Sequence, residues 1–122
     1  MIQTLNEPGI DTQDHVVRAA VLICRSMNNS HVVGTTYIIR MQDFVKIGFT
    51  KSDTARARIA TLQCACPIPF EVVAQIRGGK ELEQCLHDLF RSLNVRDEWF
   101  RYEGSLVEFV SQLADLNIHD GQ

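Results

Sequence analysis

The spacing of the apolar residues changes at the glycine pair Gly78-Gly79, and this change constrains the fold more than any other feature of the chain. From Phe70 to Ile76 apolar residues occupy every second position, which is the period of a β-strand. After the pair, the apolar residues follow the i, i+3, i+4, i+7 spacing of an amphipathic helix. They are Leu82, Cys85, Leu86, Leu89, Phe90 and Leu93. The two adjacent periods predict a sheet covered by helices.

Two further strands are predicted upstream. The segments from Thr35 to Arg40 and from Phe44 to Phe49 are rich in β-branched and aromatic residues, which is typical of a β-hairpin. A two-residue turn at Met41-Gln42 would place Tyr37 opposite Lys46 on one face of the hairpin. A three-residue turn would change that register, and the absence of glycine at the turn leaves the choice open.

Capping residues mark the starts of two more helices. Thr50 or Ser52 can cap a helix that runs to about Cys64, before Pro67. The S-x-x-E box that begins at Ser105 opens a last helix.

The N-terminal third of the chain is less patterned. Residues 1–14 are polar and suggest a flexible arm. After Asp14, apolar residues recur at helical spacing as far as Met27. This predicts an N-terminal helix, although the run from Val21 to Ile23 would equally suit a strand.

These elements predict an α+β fold: a small three-stranded antiparallel sheet covered by helices, in the order β-β-α-β-α-α after the N-terminal helix. The 122 residues, of which 45% are hydrophobic, suffice for one domain. We expect an arm and helix over residues 1–33, the core over 34–102, and a C-terminal helix and tail packed on the core over 103–122.

Composition excludes several classes of protein. The longest apolar run, Ala19 to Cys24, is far shorter than the roughly 18 residues that a membrane span needs. The first residues have neither the basic nor the apolar region of a secretory signal, so we expect a cytoplasmic protein with no membrane partner. In that compartment the four cysteines would be free thiols.

Charge is distributed unevenly along the chain. The net charge is -3, but the segment from Gly34 to Tyr102 has ten Lys and Arg residues against eight Asp and Glu residues. The two ends carry two basic against seven acidic residues. The centre is therefore mildly basic, and net charge alone does not exclude nucleic acid as a partner.

A zinc site is one alternative, since Cys64-x-Cys66 and Cys85-x-His87 together offer four ligands. Residues two apart in a helix point about 200° apart, however. Cys85 and His87 are therefore poorly spaced to reach one ion.

Five spaced motifs in the centre of the chain resemble those of the GIY-YIG nuclease superfamily. The resemblance extends from Gly34 to about Tyr102, and it is closest to the branch of phages and bacteria in which K-I-G stands for Y-I-G. Some members of that branch are described as phage DNA-binding domains. The motifs are Thr36-Tyr37-Ile38; Val45-Lys46-Ile47-Gly48; Arg58 with Ile59, Leu62 and Gln63; Leu82-Glu83 with Leu86-His87 and Phe90; and Glu98-Trp99-Phe100.

The resemblance implies a role for each matching residue. Tyr37 matches the general base, and Lys46 replaces the second tyrosine of the superfamily, where its ammonium would favour the phenolate across the hairpin. Arg58 matches an arginine that contacts phosphate. Glu83 matches the ligand of Mg²⁺ or another divalent cation, and His87 matches a histidine typical of the branch.

The match has two departures. The first motif reads Thr35-Thr36-Tyr37 instead of Gly-Ile-Tyr. Leu62 occupies a position where several superfamily nucleases have a His or Tyr that assists the base.

The resemblance predicts a magnesium-dependent endonuclease that hydrolyses DNA phosphodiester bonds, with Lys51 and Arg56 contacting the DNA. Specificity would come from the cleft, from a homodimer or from a partner protein. Two alternatives stay open: a DNA-binding domain of the same fold with weak or no catalysis, and a protein-interaction module.

Overall fold

The computed structural model describes residues 12–28 and 33–116. Within these ranges the chain forms an α+β fold of helices and one antiparallel sheet, as predicted. In chain order the elements are α1 (Thr12–Asn28), β1 (Thr35–Met41), β2 (Phe44–Thr50), α2 (Arg56–Cys64), β3 (Glu71–Arg77), α3 (Lys80–Leu89), a 3₁₀ turn (Arg91–Leu93), β4 (Asn94–Arg96), β5 (Trp99–Arg101) and α4 (Ser105–Leu116).

The sheet has five strands in the order β3-β1-β2-β5-β4, so the prediction of three strands was wrong. The two additional strands, β4 and β5, form a hairpin of three residues each, and β5 pairs with β2. Strands this short carry too few residues for an alternating pattern to be read. Their addition places the turn between β4 and β5 beside the centre of β2.

The register of the first hairpin also differs from the prediction. The turn lies at Gln42-Asp43, because Gln42 adopts a positive φ of 56° and lets β1 continue one residue further, to Met41. Tyr37 therefore pairs with Gly48 and does not face Lys46. Lys46 belongs to the next pair along the same face of the sheet.

Helices cover both faces of the sheet. The larger core lies between one face and helices α1, α3 and α4. A smaller cluster lies on the other face, under α2, and contains Tyr37, Ile39 and Ala55 at its centre. Tyr37 is thus a core residue of the α2 side.

The predicted helix at the N-terminus is confirmed as α1, which packs against α3 and α4. Most of the predicted arm lies outside the described residues. The segment after Asp14 is a helix and not a strand. Its buried side chains are Val16, Ala19 and Ile23, which follow helical spacing.

The start of α2 corrects a second prediction. Neither Thr50 nor Ser52 caps this helix, which begins at Arg56. The Arg56 N–H donates to Oγ1 of Thr54 at 3.2 Å, while Thr50 Oγ1 accepts from the Ser52 N–H at 3.4 Å in the preceding turn. The hydroxyls of Thr50 and Thr54 thus accept backbone N–H groups within the connection from β2 to α2. The helix therefore begins later than predicted, at Arg56.

A β-bulge in β3 shifts the register of that strand against β1. Ile38 pairs with Ala74 and Ile39 with Val72, so Val73 is an extra residue on the bulged strand. Gln75 pairs with Tyr37 before the bulge and shares its face, and its Oε1 accepts the Ala55 N–H at 3.1 Å. This bond fixes the first turn of α2 to the sheet.

No helix in the described part of the chain is long and apolar enough to cross a membrane.

Candidate functional site

Tyr37 is fully buried in the middle of β1, and its hydroxyl has no hydrogen-bond partner of regular geometry among the described residues. The ring lies over Gly48, its partner on β2. A Cβ atom at residue 48 would lie 2.4 Å from both Cζ and Oη of Tyr37. The glycine of the K-I-G motif therefore provides the space that the phenol occupies.

Arg58 on α2 is the cation that acts on this phenol. Its side chain is exposed. Hydrogen bonding and charge interaction with Tyr37 are the main causes that raise the pKa of Arg58. Burial opposes this rise, and the charge of Glu98 adds to it. Arg58 therefore interacts with the Tyr37 hydroxyl, although the pair lacks regular hydrogen-bond geometry. The structure thus brings Tyr37 and Arg58 together.

Gln63 fixes the C-terminal end of the same helix. Its Oε1 accepts the Phe70 N–H at 2.7 Å, and its Nε2 donates to the Ile68 carbonyl at 2.9 Å. Because Ala55 is bound to Gln75 at the other end, both ends of α2 are tied to β3 or to the segment that leads into it. These hydrogen bonds fix the position of α2, from which the Arg58 side chain extends.

Glu83 lies on α3 and is only 9% exposed. Burial is the main cause that raises the pKa of Glu83, followed by hydrogen bonding and charge repulsion from Glu98. His87 and Lys46 act in the opposite direction. Four ionisable groups from three parts of the chain therefore interact around the Glu83 carboxyl.

Lys46 pairs with Glu98 instead of acting across the hairpin on Tyr37. Its Nζ lies 2.8 Å from Oε1 of Glu98, and it stands 5.4 Å from the ring centre of Trp99. The prediction that placed Lys46 opposite Tyr37 was wrong because the turn lies one residue later. Lys46 instead neutralises a carboxylate of the β4–β5 turn.

Glu98 is a member of the site that sequence reasoning did not identify as such. It sits in the β4–β5 turn after Asp97, whose φ is 48°. Its carboxylate binds Lys46. It also helps to raise the pKa of Glu83 and the pKa of Arg58. The Glu98-Trp99-Phe100 motif contained the signal, but its acidic residue was not assigned a role.

His87 is anchored to the sheet. Its Nε2 lies 2.8 Å from the Ile47 carbonyl, and because a carbonyl oxygen only accepts hydrogen bonds, Nε2 is the donor. The ring meets Phe100 edge-on at 4.9 Å. Ile47 also donates its N–H to the Glu98 carbonyl at 3.0 Å, so one residue of β2 holds both α3 and the β4–β5 turn.

The two residues predicted to contact DNA lie on the connection from β2 to α2. Lys51 directly follows β2 and Arg56 is the first residue of α2, and both side chains are exposed. They are therefore close in sequence to Arg58, on the solvent side of the element that positions it.

The structure does not bring the four residues of the zinc alternative together as a metal site. Among the described residues no group of three or more His, Cys, Asp or Glu side chains could hold a metal ion. Cys64 is exposed at the end of α2, and Cys66 contacts Met41 through sulfur at 3.3 Å. All four cysteines are free, as predicted.

A magnesium ion has different requirements from zinc. Mg²⁺ takes oxygen ligands, retains several waters and is commonly bound through one or two carboxylates together with substrate phosphate. Glu83 and Glu98 are carboxylates that influence each other and have the right chemistry. The donor set therefore fits a magnesium ion that is completed by substrate and water.

An open groove of about 770 Å³ lies elsewhere, between α1 and α3. Half of its lining residues are apolar, among them Val17, Val21 and Leu89, and the other half are polar or charged. None of the predicted site residues lines it.

The fold and the site together define an α+β domain in which a five-stranded antiparallel sheet carries a buried tyrosine, an arginine beside it and two interacting glutamates. The chain matches the model of the T5orf172 domain over residues 34–116, which is more than half of its 122 residues. It belongs to the T5orf172 domain family. No curated protein and no solved structure matches the chain with significance.

Proposed function

We propose that this chain is a magnesium-dependent DNA endonuclease of the GIY-YIG type, with Tyr37 as the general base. The observation that carries the proposal is the buried Tyr37 hydroxyl, which has no regular partner among the described residues and stands beside the Arg58 guanidinium. A buried hydroxyl without a partner is costly for stability, which favours a functional explanation for its placement.

Arg58 serves two steps of phosphodiester hydrolysis in this proposal. Its guanidinium lies beside Tyr37, the group proposed to remove a proton from the attacking water. Its fork of donors also fits the non-bridging oxygens of a phosphate, where negative charge increases in the transition state. The exposed position of Arg58 makes it accessible to DNA.

Glu83 would hold the magnesium ion, which when bound stabilises the departing 3′ oxygen. Lys46 and His87 support the ionised form of this carboxyl, since both lower the pKa that burial raises. The anchored ring of His87 also fixes the turn of α3 from which Glu83 extends.

Lys51 and Arg56 would bind the DNA backbone beside the scissile phosphate. Phosphate contacts of exposed cations fix the position of a protein on DNA without reading its sequence. Specificity then comes from the cleft, from a homodimer or from a partner protein.

One observation favours a second candidate, a DNA-binding domain of the same fold that does not cleave. The Tyr37 side chain has no solvent-accessible surface, so an attacking water would reach its hydroxyl only if Arg58 moved toward the phosphate. In the second candidate Arg58 stays in place and the phenol is a core residue.

A plasmid assay tests both candidates. Purified protein is incubated with supercoiled plasmid and MgCl₂, beside an EDTA control and the Glu83→Gln and Tyr37→Phe variants. Nicking or linearisation by the wild type alone supports the endonuclease. Salt-dependent DNA binding without cleavage by any protein supports the second candidate, and no binding at all contradicts both.

A further inference from the structure

Glu83 on α3 and Glu98 in the β4–β5 turn come from different elements that Ile47 of β2 holds together, and the charge of Glu98 acts on Glu83. Two carboxylates that lie close together repel each other unless a proton or a cation lies between them. Lys46, with Nζ 2.8 Å from Glu98, supplies one positive charge to this pair.

The relative position of the two carboxyls is fixed by the backbone. The Ile47 N–H donates to the Glu98 carbonyl, and the Ile47 carbonyl accepts from His87, one turn after Glu83 on α3. Because both bonds converge on one residue of β2, the two glutamates are held together independently of their own charges. Their proximity is a built feature of the fold.

The same network reaches the Tyr37 hydroxyl. Arg58 interacts with Tyr37 and is also influenced by the charge of Glu98. A fully buried hydroxyl that has no regular partner among the described residues is thus linked through one guanidinium to the carboxyl pair. A cation held by the two glutamates would therefore lie next to the groups proposed for catalysis.

We propose that Glu98 is the second protein ligand of the divalent cation that Glu83 holds. Lys46 neutralises Glu98 while the cation is absent, and the cation replaces Lys46 as the partner of that carboxylate when it binds. The inference rests on the proposed function and assigns Glu98 and Lys46 a part in it. Mg²⁺ is commonly bound through one or two carboxylates, and a pair of them leaves room for water and substrate phosphate.

Trp99 offers a direct readout of metal binding that does not depend on cleavage. It is the only tryptophan of the chain, it follows Glu98 in sequence, and its ring centre lies 5.4 Å from Lys46 Nζ. Tb³⁺ is a hard cation that takes oxygen ligands, and its luminescence is sensitised by a nearby excited indole. We would titrate wild type and variants with Tb³⁺ under tryptophan excitation, and then displace it with Mg²⁺.

Three variants and a matched control separate the roles. Glu83→Gln and Glu98→Gln keep side-chain size, and each is expected to weaken Tb³⁺ and Mg²⁺ binding by at least about tenfold. Lys46→Met is expected to tighten binding, because it removes the competing ammonium. Asp97→Asn, in the same turn, removes an equal charge from an exposed side chain and tolerates the positive φ, so binding should stay near that of wild type.

The outcomes distinguish this inference from the proposed function. If Glu98→Gln binds as wild type does while Glu83→Gln loses binding, Glu98 is not a ligand and the endonuclease proposal stands. If Lys46→Met weakens binding, the exchange between ammonium and metal is wrong. If Glu83→Gln binds as wild type does, both the inference and the proposed metal role fail. Circular dichroism of each variant verifies that the fold is intact.

Discussion

The ring of Tyr37 occupies the volume that a side chain at Gly48 would need. A Cβ at residue 48 would lie 2.4 Å from Tyr37 Cζ, inside any normal contact distance. The tyrosine is fully buried under α2, so it has little freedom to move aside. The glycine on β2 and the tyrosine on β1 are therefore one packing unit.

Gly48→Ala tests this unit. The added methyl group should displace the phenol and destabilise the domain by about 1–3 kcal/mol, as overpacking does in well-packed cores. Chemical denaturation measures the loss. In a Tyr37→Ala background the same change should cost far less, since the obstructing ring is absent. Equal losses in both backgrounds would mean that the two residues do not compete for space.

Glu83→Gln should change the pH dependence of stability. Burial raises the pKa of Glu83 in the folded protein above the unfolded-state value of about 4.3, so the folded state holds the proton more tightly. Stability supplied by that proton is complete below the unfolded pKa and is lost as pH rises through the folded pKa. Glutamine has no such titration.

The melting temperature of Glu83→Gln, relative to wild type, should therefore increase as pH rises from about 4 toward neutrality. Thermal melts at a series of pH values measure this difference. Glu81→Gln, an exposed glutamate on the same helix, is the matched control and should show a flat difference. A difference for Glu83→Gln that falls with rising pH would contradict the raised pKa. Plasmid cleavage by this variant should be lost while the fold is retained.

Much of the fold follows from the sequence because long elements repeat their pattern several times. α3 and β3 were readable from apolar spacing, and the chain switches between them at Gly78-Gly79. The β4–β5 hairpin was not readable, because a three-residue strand such as Trp99–Arg101 shows less than one full alternation on each face. The hairpin extends the sheet beyond β2.

The candidate site was predictable to a different extent. Tyr37, Arg58 and Glu83 were found through motifs, but their partners depend on register and on the turn that sequence left open. One residue of shift at the Gln42-Asp43 turn separates Lys46 from Tyr37 and leaves it to Glu98. Local motifs therefore identified the residues, and tertiary geometry decided which of them interact.

Arg58→Ala and Lys51→Ala should have opposite kinetic signatures. Arg58 stands at the proposed base, so its loss should reduce turnover far more than DNA affinity. Lys51 is exposed outside the cluster, so its loss should weaken DNA binding and reduce the slope of log affinity against log salt by about one. Single-turnover cleavage and fluorescence anisotropy over a salt series measure the two effects. A loss of affinity alone in Arg58→Ala would assign that arginine to docking.

Tyr37→Phe separates catalysis from packing within one residue. The hydroxyl is buried without a regular partner among the described residues, and an unsatisfied hydroxyl costs about 1–3 kcal/mol. Removing it should leave the free energy of unfolding equal to or above that of wild type, because the ring still fills its place over Gly48. If the phenol is the general base, cleavage should fall by about a hundredfold or more at every pH.

Denaturation curves and plasmid cleavage from pH 6 to 9 check both parts on the same preparation. A variant that is stable yet cleaves as well as wild type would make another group the base, and His87 would be the next to test through His87→Gln. A variant that loses stability would mean that Arg58 or another group bonds the hydroxyl in the folded protein, and the functional explanation of its burial would then be lost.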